Sequence, residues 1–169
     1  MNDSVTVDLH VNGVVCSVDV PVDEPLVLTL RDRLGLRSVR PTCGIGVCGT
    51  CTVQLDGAVV SSCLLLTRQV GDRQVRTSEG LVSAGGDLHS VQQAFVDAGA
   101  YQCGYCIPAM VVTVEACLRE NPGASLEQVR EYLAGNLCRC GTYVNIIDAV
   151  RSLVGAGQPV IPPSDSDEG

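Results

Sequence analysis

Ten cysteines stand in this chain of 169 residues, and eight of them fall into two spaced groups. The first lies in RPTCGIGVCGTCTV, Arg40 to Val53, where Cys43, Cys48 and Cys51 follow a C-x4-C-x2-C spacing. Cys63 comes after eleven intervening residues. Thiols at this density suit a disulfide knot, a zinc site or an iron–sulfur cluster. Zinc sites pair C-x2-4-C knuckles across a longer stretch, which the dense loop fits poorly. Disulfides belong to oxidising compartments. The spacing is that of a [2Fe–2S] centre. Two irons bridged by two sulfides need four thiolates converging on a small volume, three from one wrapping loop and one from the end of a neighbouring hairpin. Gly44, Gly46 and Gly49 let that loop take left-handed conformations and bring backbone N–H groups to sulfur, where they help set potential.

The second group is Cys103-Gly-Tyr-Cys106 with Cys138-Arg-Cys140, about thirty residues further on. A C-x2-C and a C-x-C pair could supply another tetrathiolate. On spacing alone zinc, an iron–sulfur cluster and a redox dithiol all stay open. Cys16, in a strand pattern, and Cys117, on a helical pattern, stand apart and read as small buried hydrophobes. His10 and His89 read as solvated or structural rather than as ligands.

Composition narrows the setting. The net charge of −8 argues against nucleic acid, which needs Lys and Arg against phosphate. The polar start MNDSVTVDLH lacks the features of a secretory signal, and no run of about 18 apolar residues could span a bilayer. A cytoplasmic location is expected, where ten cysteines point to metal or redox chemistry rather than disulfides. Hydrophobic residues make up 46% but aromatics only 3%, so any core is built from Val, Leu, Ala and Ile.

The elements that must position the thiols change period midway. SVTVDLHVNGVVCSVDV alternates around Asn12-Gly13, and CTVQLDGAVVSSCLLL turns at Asp56-Gly57, both hairpin signals. Between them EPLVLTLRDRLGL places Leu26, Leu30 and Leu34 on one face of a short helix, from Pro25 to Gly35. Hairpin, crossing helix and further strands predict a β-grasp-like α+β unit over residues 1–82. After a short SAGGD linker, four helical patterns predict a compact bundle over residues 83–157. Pro108 opens one helix, and Ser125 with Gln128 forms a capping box at another. The tail QPVIPPSDSDEG, residues 158–169, is proline-rich, then acidic, and is expected to be disordered.

CGIGVCGTCTV with the later SSC, then YQCGYC, then GNLCRCGTY, in this order, resemble the iron–sulfur subunit of molybdenum hydroxylases. That family includes xanthine dehydrogenase, aldehyde oxidoreductase, carbon monoxide dehydrogenase and isoquinoline or quinoline oxidoreductases, and the resemblance spans about residues 5 to 155. It implies a plant-type ferredoxin-like β-grasp domain holding one [2Fe–2S] cluster on Cys43, Cys48, Cys51 and Cys63. It also implies a four-helix bundle holding a second on Cys103, Cys106, Cys138 and Cys140. It places Gln102, with Cys103 and Cys140 alongside, against a molybdopterin cofactor carried by a separate large subunit. The first cluster would pass electrons outward, commonly to an FAD-binding medium subunit. No residue of this chain is then catalytic.

Two departures from the family pattern stand out. Gly44 follows the first cysteine where members often have an acidic or polar residue, and Thr42 precedes it in place of Gly. Cys140-Gly141-Thr142-Tyr143 reverses the commoner Thr-Gly order, which resembles the isoquinoline-oxidoreductase-like branch and points toward N-heterocycle or aldehyde substrates. Two other functions compete: a free-standing two-cluster ferredoxin that docks by its acidic charge, and a zinc-stabilised interaction module.

Overall fold

The computed structural model describes residues 3–155, so the expected disorder of residues 158–169 lies outside the described residues. Strands β1 (Ser4–Val11) and β2 (Val14–Pro21) pair antiparallel, with Val11 opposite Val14. Asn12 and Gly13 turn the hairpin at φ 53° and 79°, the mirror-image turn whose twist matches the strands. A short helix, α1 (Leu26–Leu28), runs on into a wider turn over Thr29–Arg33 and buries Leu26 and Leu30 completely. The second hairpin joins β3 (Thr52–Leu55) to β4 (Ala58–Ser61) through Asp56 and Gly57, at φ 48° and 83°.

A fifth strand, β5 (Gln74–Arg76), has no counterpart in the sequence pattern, and it sits in the middle of the sheet. The strand order is β2-β1-β5-β3-β4, with β5 parallel to β1 and antiparallel to β3. Only Val75 of its three residues is buried, too short a run to show a period. β5 welds the two hairpins into one mixed sheet, whose core holds Leu9, Val11, Leu26, Leu30, Val53 and Val75. Cys16 departs from the expected buried position. β2 is an edge strand, and the side chain is only half-buried there. Cys117 is buried, as expected.

Four helices follow: α2 (Ser90–Asp97), α3 (Ile107–Glu120), α4 (Leu126–Tyr132) and α5 (Tyr143–Gly155). His89 caps α2, its Nδ1 accepting from the Val91 N–H at 3.3 Å, a structural role. Pro108 stands in the first turn of α3, and Ser125 with Gln128 closes the capping box of α4. The helical core gathers Phe95, the one Phe of the chain, with Met110, Val114, Val129, Ile146 and Val150.

α3 is buried continuously from Ala109 to Cys117, because one side meets the other helices and the opposite side lies on β3. That second contact is polar at its centre. Gln54 of β3 donates through Nε2 to the Val112 carbonyl at 3.1 Å and to the Glu115 carboxylate. Arg76 Nη1 and Arg119 Nε reach Glu115 at 3.4 and 3.6 Å, and Arg119 Nη2 donates to the Gly57 carbonyl at 2.7 Å. Sheet and bundle are therefore joined by buried, mutually satisfied groups as well as by apolar packing. Among the described residues no helix is long and apolar enough to cross a membrane.

Candidate metal centres

The loop between α1 and β3 carries Cys43, Cys48 and Cys51, and the chain just after β4 brings Cys63 to it. The four thiols stand two and two, Cys48 beside Cys43 and Cys51 beside Cys63. Backbone N–H groups point inward at them. That of Ile45, with those of Cys48 and Val47 and the Cys48 thiol, pulls the Cys43 thiol down to about 6. Burial, together with the Cys51 thiol, pushes Cys63 up to about 11, although the Gly46 N–H donates to it.

Two glycines of this loop combine a left-handed backbone with a close neighbour. At Gly46 (φ 73°) a Cβ would lie 2.4 Å from Leu64 Cδ1. At Gly49 (φ 69°) it would lie 2.2 Å from the Gly135 carbonyl oxygen. At Gly49 the left-handed backbone meets a backbone oxygen that cannot yield, so no other residue fits; at Gly46 the left-handed backbone itself favours glycine, because the exposed Leu64 side chain can turn aside.

The second group forms where the turn before α3 meets the turn before α5. Cys103 Sγ lies 3.4 Å from Cys140 Sγ, both exposed, while Cys106 lies beside Cys138, both buried. The N–H of Tyr105 foremost, then the Cys140 thiol, lowers Cys103. Burial, then Cys138, pushes Cys106 up to about 12. Cys138 is held low: burial opposes this, but the N–H groups of Thr142, Cys140 and Gly141 and the Cys106 thiol outweigh it. Tyr143 Oη accepts from the Cys138 N–H at 2.7 Å and fixes the turn. Gln102 is exposed beside the outer pair, its Nε2 donating to the Cys140 carbonyl at 3.2 Å.

All eight cysteines of the two spaced groups are thus brought together, four and four, and Gln102 lies at the exposed edge of the second set. Among the described residues no three His, Cys, Asp or Glu side chains close on a single-ion site. Thiols grouped two and two, with backbone N–H groups directed at them, instead suit what a dinuclear cluster requires: two thiolates per iron, with hydrogen bonds to anionic sulfur. The donor sets fit a [2Fe–2S] group.

Residue spacing did not disclose how the two sets are connected. The Leu137 N–H donates to the Cys48 carbonyl at 2.9 Å. Buried Asn136 donates through Nδ2 to the Gly49 carbonyl at 2.9 Å and accepts through Oδ1 from Thr113 Oγ1 at 3.1 Å. Arg40 and Tyr105 also cross between the domains. Gln54 and Glu115 could have been noticed as polar residues inside apolar runs, whereas Asn136, Arg40 and Tyr105 sit in loops with no such contrast.

Comparison with known proteins agrees with this geometry. A family model described as a 2Fe-2S iron-sulfur cluster binding domain matches residues 9–81, and a [2Fe-2S] binding domain matches residues 77–151. The chain is 46% identical to one of the nicotinate dehydrogenase subunits of Pseudomonas putida, over 86% of this chain and 92% of that one. Quinoline 2-oxidoreductase from Pseudomonas putida 86 contains a chain similar in structure, with a TM-score of 0.84 and 38% identity over 91% of this chain and 96% of that one. The aldehyde oxidoreductase from Desulfovibrio desulfuricans ATCC 27774 aligns at a TM-score of 0.83 and 38% identity, but 92% of this chain spans only 18% of that polypeptide.

Proposed function

The chain belongs to the iron–sulfur subunits of molybdenum hydroxylases, the electron-transfer subunits of oxidoreductase complexes, and on that premise we propose which residues do the work. Cys43, Cys48, Cys51 and Cys63 hold one [2Fe–2S] cluster, and Cys103, Cys106, Cys138 and Cys140 hold the other. Such clusters supply reversible one-electron storage, at potentials set by charge, hydrogen bonding and exposure. The chain's own part is to hold the two sets in fixed register, to aim N–H donors at sulfur, and to leave one edge of each set open to a partner.

The observation that carries the reading is a polarity in the second set. Its outer pair, Cys103 and Cys140, is exposed beside Gln102, while its inner pair, Cys106 and Cys138, is buried. Cys138 adjoins Leu137, which is bonded to Cys48 of the first set. Electrons therefore enter from a molybdopterin-bearing large subunit docked at Gln102, Cys103 and Cys140. They leave from the first set toward a separate acceptor, for which an FAD-binding medium subunit is the fitting partner. The aldehyde oxidoreductase likeness supports a large partner: the region similar to this chain is a small part of that polypeptide. The nicotinate and quinoline relatives support a nitrogen-heteroaromatic substrate for the complex.

The test is purification of the native complex with metal and sulfide analysis. Two clusters require four irons and four acid-labile sulfides per copy of this chain, with molybdenum on a co-purifying larger chain. A chain that purifies alone with both clusters would favour the free-standing ferredoxin. Zinc without visible absorbance would overturn the cluster reading altogether.

A further inference from the structure

Arg40 belongs to the sheet domain, three residues before Cys43, yet its side chain ends on the loop between Cys103 and Cys106 of the other domain. Its Nη1 donates to the Gly104 carbonyl at 2.6 Å, and its guanidinium carbon stands 4.9 Å from the centre of the Tyr105 ring. Tyr105 Oη donates back to the Pro41 carbonyl at 3.0 Å. Gly104 and Tyr105 are the two residues between Cys103 and Cys106. The peptide whose carbonyl receives the Arg40 hydrogen bond is the same peptide whose N–H, that of Tyr105, donates to the Cys103 sulfur. A cation at one end of a peptide and an anionic sulfur at the other polarise it in the same sense, and hydrogen bonds in such a chain strengthen one another. Arg40 is half-buried, so water screens its charge less than at an open surface.

We propose that Arg40 is a positioning residue for the helical domain's cluster: through the Gly104–Tyr105 peptide it strengthens the hydrogen bond to Cys103 and makes that cluster easier to reduce relative to the first. The inference rests on Cys103 being a cluster ligand. Reduction adds one negative charge to the cluster, and a fixed cation linked to its ligand favours the reduced form. The sheet domain thereby takes part in tuning a centre it does not bind.

The experiment is a redox titration of the full chain with both clusters loaded, followed by electron paramagnetic resonance so that the two centres are read separately. Wild type must first show four irons and two signals; failure there sinks the ligand assignment rather than the role of Arg40. In Arg40→Gln, the helical cluster should become harder to reduce by about tenfold in its electron equilibrium, which is about 59 mV for one electron, while the first cluster shifts less. Arg40→Lys, which keeps charge and a donor, should stay near wild type. Tyr105→Phe, which removes only the hydrogen bond to Pro41, should leave the potential in place. Unchanged potentials in Arg40→Gln, equal shifts of both clusters, or a Lys variant as shifted as the Gln variant would each overturn the proposal. Loss of the helical cluster in both Arg40→Gln and Arg40→Met would also overturn it, by giving Arg40 a purely structural role.

Discussion

The carbonyl of Cys48 and the N–H of Leu137 are 2.9 Å apart, which places the backbone of Cys48 one hydrogen bond from the residue preceding Cys138. The bond lies where the chain has little freedom to move. Beside it Asn136 holds the Gly49 carbonyl, and Gly49 packs so closely that an added Cβ would meet Gly135. The two proposed clusters are linked by a continuous path of covalent bonds and one hydrogen bond, in a contact that tolerates no extra atom.

Gly49→Ala tests that contact. The substitution forces a side chain onto a left-handed backbone, costing about 1–2 kcal/mol, before the clash with Gly135 is counted. We expect a melting temperature lower by several degrees and slower electron equilibration between the clusters, read by rapid-freeze paramagnetic resonance. A variant that equilibrates as fast as wild type would show that the Cys48–Leu137 register is not what sets the rate.

Glu115 ties sheet to bundle from the other side of the interface. It is 5% exposed and is approached by Gln54, Arg76 and Arg119. Removing the carboxylate in Glu115→Ala leaves one N–H of the buried Gln54 amide without an acceptor, although the other still donates to the Val112 carbonyl, and should cost about 2 kcal/mol, the scale of a buried polar group left without its partner. Glu115→Gln keeps an acceptor and should cost less. Thermal unfolding followed by cluster absorbance distinguishes them, and equal losses in the two variants would mean that packing, not hydrogen bonding, is what the site supplies.

How much of this was legible beforehand follows from the range of each interaction. The hairpins at Asn12-Gly13 and Asp56-Gly57, the Ser125 capping box and the helix opened by Pro108 depend on residues within a few positions of one another, and each is present. The thiol groups were visible because a cluster demands a fixed spacing in sequence. β5 was invisible, since its three residues become a strand only between β1 and β3. Cys16 reads as a core residue in an alternating run, but its half-buried position follows from β2 lying at the sheet edge, a property of the assembled sheet. The polar links across the domains, Asn136 to Gly49 and Arg40 to Gly104, join residues 87 and 64 positions apart, and no local pattern encodes them.

Substituting single cysteines separates the two proposed centres. Cys48→Ser should abolish the paramagnetic signal of the sheet domain's cluster and leave the helical one, while Cys138→Ser should do the reverse, each halving the iron content. Ser offers a harder, poorly ionised oxygen where iron requires a thiolate. In the complex, Cys48→Ser should still allow substrate to reduce the helical cluster but block turnover with the external acceptor. If either variant retained both signals, the ligand assignment would be wrong.

Acid should weaken the sheet domain through Glu24. Arg33 grips this carboxylate with two hydrogen bonds, Nε to Oε1 and Nη2 to Oε2, each 2.6 Å, and Thr29 Oγ1 donates to Oε1 at 2.7 Å. Thr29 is itself buried and shares a 2.6 Å hydrogen bond with Thr67, so the carboxylate anchors α1 to the chain after β4. The Arg33 hydrogen bonds, against some opposing burial, hold Glu24 below the usual carboxylate range. A carboxyl depressed in the folded state takes up its proton more readily when unfolded. Its contribution is therefore fully present above about pH 4.5 and is lost as pH falls through the folded value. Glu24→Gln should lower the melting temperature at pH 7, and its deficit against wild type should shrink steadily as the pH is taken below 4.5. Melting curves of both proteins, read by far-ultraviolet circular dichroism to avoid the acid lability of the clusters, give the comparison. A deficit that stays constant to the lowest pH would show that Glu24 acts through its shape rather than its charge.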